Sequence, residues 1–139
     1  MNLHHFAGIA ALLVTSHAIA CGDGPLSTTT LQDGSKVGLV ISRAQIEAAP
    51  AWTPDMGEPP LSISAARDAV LAWAKDRYQR YDGVQIMEIS LNQYPCPMSN
   101  KRWYYSFNLA PEIEGGLVYS GAHFAAVLMD GSVIGSSKL

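Results

Sequence analysis

Residues 61–80, LSISAARDAVLAWAKDRYQR, are followed shortly by QIMEISL at residues 85–91, and the change of period between the two stretches decides the fold. Through the first and into Tyr81 just after it, Ile63, Ala66, Val70, Trp73 and Tyr81 recur at steps close to the helical repeat, with Ala69 and Ala74 beside them. Arg67, Lys75 and Gln79 mark the wet side, and Leu71 falls there too. A helix is predicted from a cap at Ser62 or Ser64, whose hydroxyl satisfies free N–H groups, to about Arg80. Gly83 is the candidate C-cap, and Asp76 with Arg80 forms an i,i+4 pair. In the second stretch the period drops to two, placing Met87, Ile89 and Leu91 opposite Glu88 and Ser90.

Working outward, Arg102–Leu109 alternates in the same way. Trp103, Tyr105, Phe107 and Leu109 share one face, and Arg102, Tyr104, Ser106 and Asn108 the other. Both runs read as half-buried antiparallel strands. Gly121–Met129 and Ser132–Ser136 flank Asp130-Gly131 and read as a closing hairpin, and Leu26–Leu31 and Lys36–Ser42 flank Asp33-Gly34 as an N-terminal one. Residues 43–60 carry Pro50, Pro54, Pro59 and Pro60, which predict a long irregular connection pinned by Trp52. The expectation is an α+β domain: one helix on a curled antiparallel sheet of about four strands, preceded by a β-hairpin. Its parts are an export segment at 1–20, the hairpin and Pro-rich connection at 21–60, and the helix-plus-sheet core at 61–139, with 21–139 forming one domain.

From Leu61 onward the chain resembles the PepSY and cystatin-like group of helix-plus-curled-sheet domains. The residues that carry the resemblance are Pro60-Leu61-Ser62 with Ala65, Ala66 and Ala69, then Trp103-Tyr104-Tyr105, then Val127–Ile134. The Pro-Pro-Leu-Ser helix start and the Trp-Tyr-Tyr strand are also similar to those of small exported bacterial proteins. The first resemblance implies binding or restraint of peptidases in the cell envelope and carries no functional residue onto these positions. The second implies export and no particular activity.

The chain has 139 residues, 48% hydrophobic and 15% charged, with a net charge of −3. No Lys/Arg run exists, which argues against nucleic acid as a partner. Residues 1–20, MNLHHFAGIAALLVTSHAIA, contain no Lys, Arg, Asp or Glu. The apolar run Phe6–Val14 has the length of a signal-peptide core and is too short to span a bilayer; Ala18 and Ala20 supply the small residues of a cleavage site. The protein is therefore expected to be exported, periplasmic or secreted. Cys21 comes next, and Ala18-Ile19-Ala20-Cys21 is similar to a lipobox, which would acylate Cys21 and tether the chain to a membrane. The rival reading pairs Cys21 with Cys96, the only other cysteine. That bridge would be worth about 4–5 kcal/mol in the loop-entropy model. A thioether sulfur cannot also form a disulfide, so the two readings exclude each other, and the bridge is preferred.

Candidate chemistry is sparse. His4, His5 and His17 lie in the removable segment, leaving His123 as the one imidazole for a Ser-His-Asp arrangement; its plainer reading is a strand residue on the wet face. Glu112 and Glu114 could form a carboxylate pair or grip Ca²⁺, against the plainer reading of solvated loop charge. Cys96, between Pro95 and Pro97, has no local base to activate it. Neither a His pair nor a C-x-x-C suggests a metal, and no cofactor is implied. Trp103, Tyr105 and Phe107 read as core, whereas Trp52, Tyr94 and Tyr104 are candidates for exposed, partner-binding aromatics. The leading function is a non-catalytic envelope protein that binds a protein or peptide. The alternatives are a small hydrolase using Glu112, Glu114 or His123, and a structural lipoprotein tethered at Cys21.

Overall fold

A computed structural model describes residues 24–96 and 101–139; the export segment expected at 1–20, and Cys21, lie outside the described residues. In chain order the elements are β1 (Ser27–Thr30), β2 (Lys36–Leu39), α1 (Arg43–Ala48), α2 (Ile63–Arg77), β3 (Gly83–Gln93), β4 (Trp103–Ile113), β5 (Gly116–Leu117), β6 (Phe124–Leu128), β7 (Val133–Gly135) and β8 (Ser137–Lys138). Two of the turns are built alike. The Asp33 carboxylate accepts from the Ser35 N–H and hydroxyl, and Asp130 accepts from Ser132 in the same way. Gly34 and Gly131 between them take φ near +82° and +86°, a region that glycine enters without steric cost. The Ser35 bonds, the hydroxyl's first, hold the Asp33 carboxyl below its usual range.

α2 starts where Ser62 Oγ accepts the Ala65 N–H at 3.1 Å. It buries Ala66, Val70 and Ala74, one residue per turn, with Trp73 and Ala69 flanking them. Three details differ from the sequence reading. The helix ends at Arg77 rather than near Arg80, closed by buried Tyr78 instead of a glycine, and Gly83 opens β3. Ile63 is exposed. Asp76 and Arg80 do not pair; the ion pairs among the described residues are Arg43–Glu47 and Arg67–Asp68.

The larger correction concerns the fold class. Strand makes up 38% and helix 21% of the described residues, and the strands form two sheets, not one sheet of about four. One sheet has the order β3-β4-β6-β7, with β5 added to β4; the other has the order β1-β2-β8. The N-terminal hairpin therefore does not stand alone. β8 pairs with β2 through Gly38↔Ser137, so the C-terminus completes the sheet that the N-terminus starts.

Register shows why two sheets are needed. Tyr105, Phe107, Ala125 and Val127 are cross-strand partners on one face. That face meets α2: the Tyr105 hydroxyl donates to the Leu61 carbonyl at 2.8 Å, and Gly135, paired with Ala125, abuts Trp73. Tyr104, Ala126 and Leu128 project the opposite way and are also buried. The β1-β2-β8 sheet covers them, with Val37, Leu39 and Ile41 buried at the seam. The layers are thus helix, five-stranded sheet and three-stranded sheet.

Two further expectations yield to local geometry. Residues 43–60 are not wholly irregular, because Ser42 and Gln45 form a reciprocal capping box that starts α1, and Ile46 anchors it in the core. In β3 the ladder slips between Ile86 and Glu88, leaving Met87 as an extra residue. Ile86 and Ile89, opposite Leu109 and Phe107, face the core, while Met87 and Leu91 are 48% and 37% exposed.

A Cβ on Gly135 would lie 2.4 Å from the Trp73 ring. Gly135→Ala should destabilise the protein by about 1–3 kcal/mol, the usual cost of overpacking. A urea midpoint unchanged from the parent protein would show that α2 does not press on β7 this closely.

Candidate functional site

A groove of about 780 Å³ opens where the two sheets diverge. Thr29 and Leu39 line it from the small sheet, and Asn92, Ser106, Asn108 and Phe124 from the large one. No Lys, Arg, Asp or Glu lines it. The strand alternation places Asn92, Ser106 and Asn108 on the same face as Tyr104, so the covering sheet meets amides and hydroxyls there. Asn92 Nδ2 donates to Ser106 Oγ at 2.8 Å, and Asn108 Nδ2 to Glu88 Oε2 at 2.9 Å. These bonds hold both amides in place. Tyr119, 73% exposed, stands on the loop at the groove's rim beside Met87. Tyr119 is an accessible aromatic that sequence reasoning passed over. Its loop position between Gly116 and Gly121 is the signal that could have found it.

β3 flanks the groove as an edge strand of the large sheet, eleven residues long. The Tyr94 N–H donates to the Arg102 carbonyl. Alternation from that bond directs the backbone groups of Asn92, Ser90 and Glu88 toward β4, and those of Leu91 and Ile89 to the open side. An exposed edge with outward N–H and C=O groups is a template for another extended chain.

The aromatics proposed as exposed are all buried. Trp52 meets Trp103 edge to face at 5.6 Å and donates its indole N–H to the Gly57 carbonyl. The Tyr94 hydroxyl donates to the Ile41 carbonyl at 3.0 Å, tying the end of β3 to the chain that leaves β2. Tyr104 lies beneath the small sheet, where burial raises its hydroxyl's pKa. These three seal seams between layers. Cys96 is buried and disulfide-bonded, and the partner expected for it, Cys21, is outside the described residues.

The structure does not assemble the other candidates into a reacting group. Glu112 sits near the end of β4, and Glu114 occupies the β4–β5 turn with φ +50°, its N–H donating to Asp82. His123 precedes β6, not on a wet strand face but half-buried, with the Tyr78 ring 5.3 Å away and Tyr81 6.5 Å away. Among the described residues no hydroxyl or carboxylate hydrogen-bonds its imidazole, and no group of three His, Cys, Asp or Glu side chains could hold a metal. No described helix is long and apolar enough to cross a membrane. Among the described residues, these observations define a two-sheet domain with one main helix, an edge strand paired on one side and an uncharged groove. No family model, curated protein or solved structure matches the chain.

Burial, then the nearby Arg77 guanidinium, lowers the His123 pKa from its ordinary value of 6.5. The unfolded imidazole therefore takes up its proton first as pH falls. The stability this residue contributes is complete above about pH 6.5 and declines below it. An NMR titration should place the His123 midpoint under the ordinary value, and Arg77→Gln should raise it; a midpoint at or above 6.5 would contradict this packing.

Proposed function

We propose that this is an exported, non-catalytic protein that binds an extended peptide segment of a partner by adding it to the open edge of β3. One observation carries the reading: an eleven-residue edge strand turns the backbone of Ile89 and Leu91 outward beside an uncharged groove. Strand addition takes its affinity from main-chain hydrogen bonds and its specificity from pockets that receive alternate side chains. Met87 and Tyr119 provide apolar contact area at the rim, Leu91 is exposed along the edge itself, and Asn92 and Asn108 provide amides. The bulge at Met87 limits unspecific pairing of the edge by breaking its regularity. The PepSY and cystatin-like resemblance, with its peptidase-binding implication, agrees with a peptide partner. Residues 1–20 and the bonded state of Cys96 support an oxidising location outside the cytoplasm.

A library of random peptides displayed on phage should yield extended binders with alternating apolar positions. Leu91→Pro removes an outward N–H, and proline is tolerated on an edge strand. The variant should keep its melting temperature and bind the selected peptides about tenfold or more weakly, while Glu112→Gln, outside the groove, leaves binding unchanged. A folded Leu91→Pro protein that binds as well as the parent would sink the edge-strand reading. The location has its own check: the intact mass of the protein recovered from cells should lack residues 1–20 and rise on reduction by the two thiol hydrogens of a Cys21–Cys96 bridge. Acyl mass on Cys21 would establish the tethered form instead.

A further inference from the structure

A second, smaller cavity of about 320 Å³ opens where α2 ends against β8 and the residues before β6. Arg77 and Arg80 line it from the helix end, Lys138 from β8, and His123, Tyr78 and Ser137 complete the wall. Its charge runs against that of the chain. The protein is net −3 with nine Lys and Arg in all, yet three of them converge here and no Asp or Glu lines the cavity.

These cations are not used up in ion pairs. Among the described residues the salt bridges are those of Arg43 and Arg67, leaving Arg77, Arg80 and Lys138 without one. Arg77 is held by neutral partners: Nη2 makes a long bond of 3.4 Å to the Ser136 carbonyl, and the guanidinium also hydrogen-bonds the Tyr78 hydroxyl. Asp33 feels the Lys138 charge, but its carboxylate is already engaged by Ser35. Like charges held together without counter-ions repel, and a bound anion relieves that repulsion.

The end of α2 works the other way, since a helix C-terminus carries about half a negative charge. Two guanidinium groups and an ammonium exceed that by several fold, so the cavity's net field attracts anions. Guanidinium forks match the paired oxygens of phosphate in geometry as well as charge. The imidazole, phenol and hydroxyl groups add neutral donors.

We propose that this cavity binds a phosphate group, free or carried on a small molecule or lipid headgroup. It is separate from the peptide edge, and neither proposal depends on the other. Bound phosphate would sit next to His123 and favour its protonated form, giving a readout that a purely structural role for the cations would not move.

The experiment titrates inorganic phosphate into the protein at constant ionic strength, with chloride as the control anion, and follows the His123 ring signals by NMR. Saturable shifts and an upward move of the His123 midpoint are expected with phosphate and not with chloride. Arg80→Gln and Lys138→Gln should each weaken phosphate binding by about tenfold, the scale of one charge-assisted hydrogen bond, without changing the melting temperature. In a second arm, vesicles of phosphatidylglycerol and of phosphatidylcholine are sedimented with the protein. Co-sedimentation with the anionic vesicles alone, competed by free phosphate, identifies a headgroup as the source; phosphate binding without co-sedimentation identifies a soluble ligand. No phosphate-specific shift, or binding that survives both substitutions, would overturn the site.

Discussion

β6 is a strand with no wet side. Ala125, Ala126, Val127 and Leu128 are all buried, so both faces of the five-stranded sheet must be covered at its centre. α2 covers one face. The other depends on a sheet assembled from the first and last strands of the described chain. Burying Leu128 alone is worth about 1.5–3 kcal/mol, against a total stability of about 5–15 kcal/mol for a domain of this kind. The small sheet is therefore a condition of folding, not an appendage.

This constraint also explains what could be read in the sequence. The 3.6-residue stripe of α2, its Ser62 cap, the alternation of β4 and both Asp-Gly turns are local patterns, and each is legible in its own few residues. The covering of the second face is not local. It requires β8, two residues long, to find β2 about a hundred residues away in sequence, and no periodicity announces a strand that short. With one helix and one sheet in hand, the alternate face of β4 had to be assigned to solvent. Tyr104 falls on that face, whereas Trp52 and Tyr94 lie beside prolines, where an aromatic reads as a loop residue open to solvent. One further feature is legible: the Ser42-x-x-Gln45 spacing signals a capping box, although the prolines that follow point to an irregular connection. The bulge at Met87 carries no comparable mark, because its apolar neighbours satisfy either register.

The candidate site was the least legible part, for a related reason. The groove exists only because two layers diverge, so its lining draws on residues from Thr29 to Phe124 with no shared motif. Amides and hydroxyls on a strand face look the same whether they meet bulk water or a partly covered groove. Tyr119 shows the converse. A loop aromatic between glycines is a recognisable signal, and its exposure follows from having no layer above it.

Charge separates the two cavities more sharply than shape does. Arg77, Arg80 and Lys138 gather at the helix exit, whereas the groove holds no formal charge. His123 lines both. It sits where the chain enters β6, its carbonyl accepts from Leu109, and Ser136 beside it closes the seam by donating to the Ala122 carbonyl. Ser136 is also the residue at which the chain leaves the large sheet for the small one, between β7 and β8. The turn that carries β8 into place over the second face thus also brings Lys138 toward Arg77. The contact that completes the fold and the contact that concentrates positive charge are made by the same four residues, Ser136 to Leu139. Any change that frees this tail from β2 must open the basic cavity and remove a strand from the sheet over the second face together.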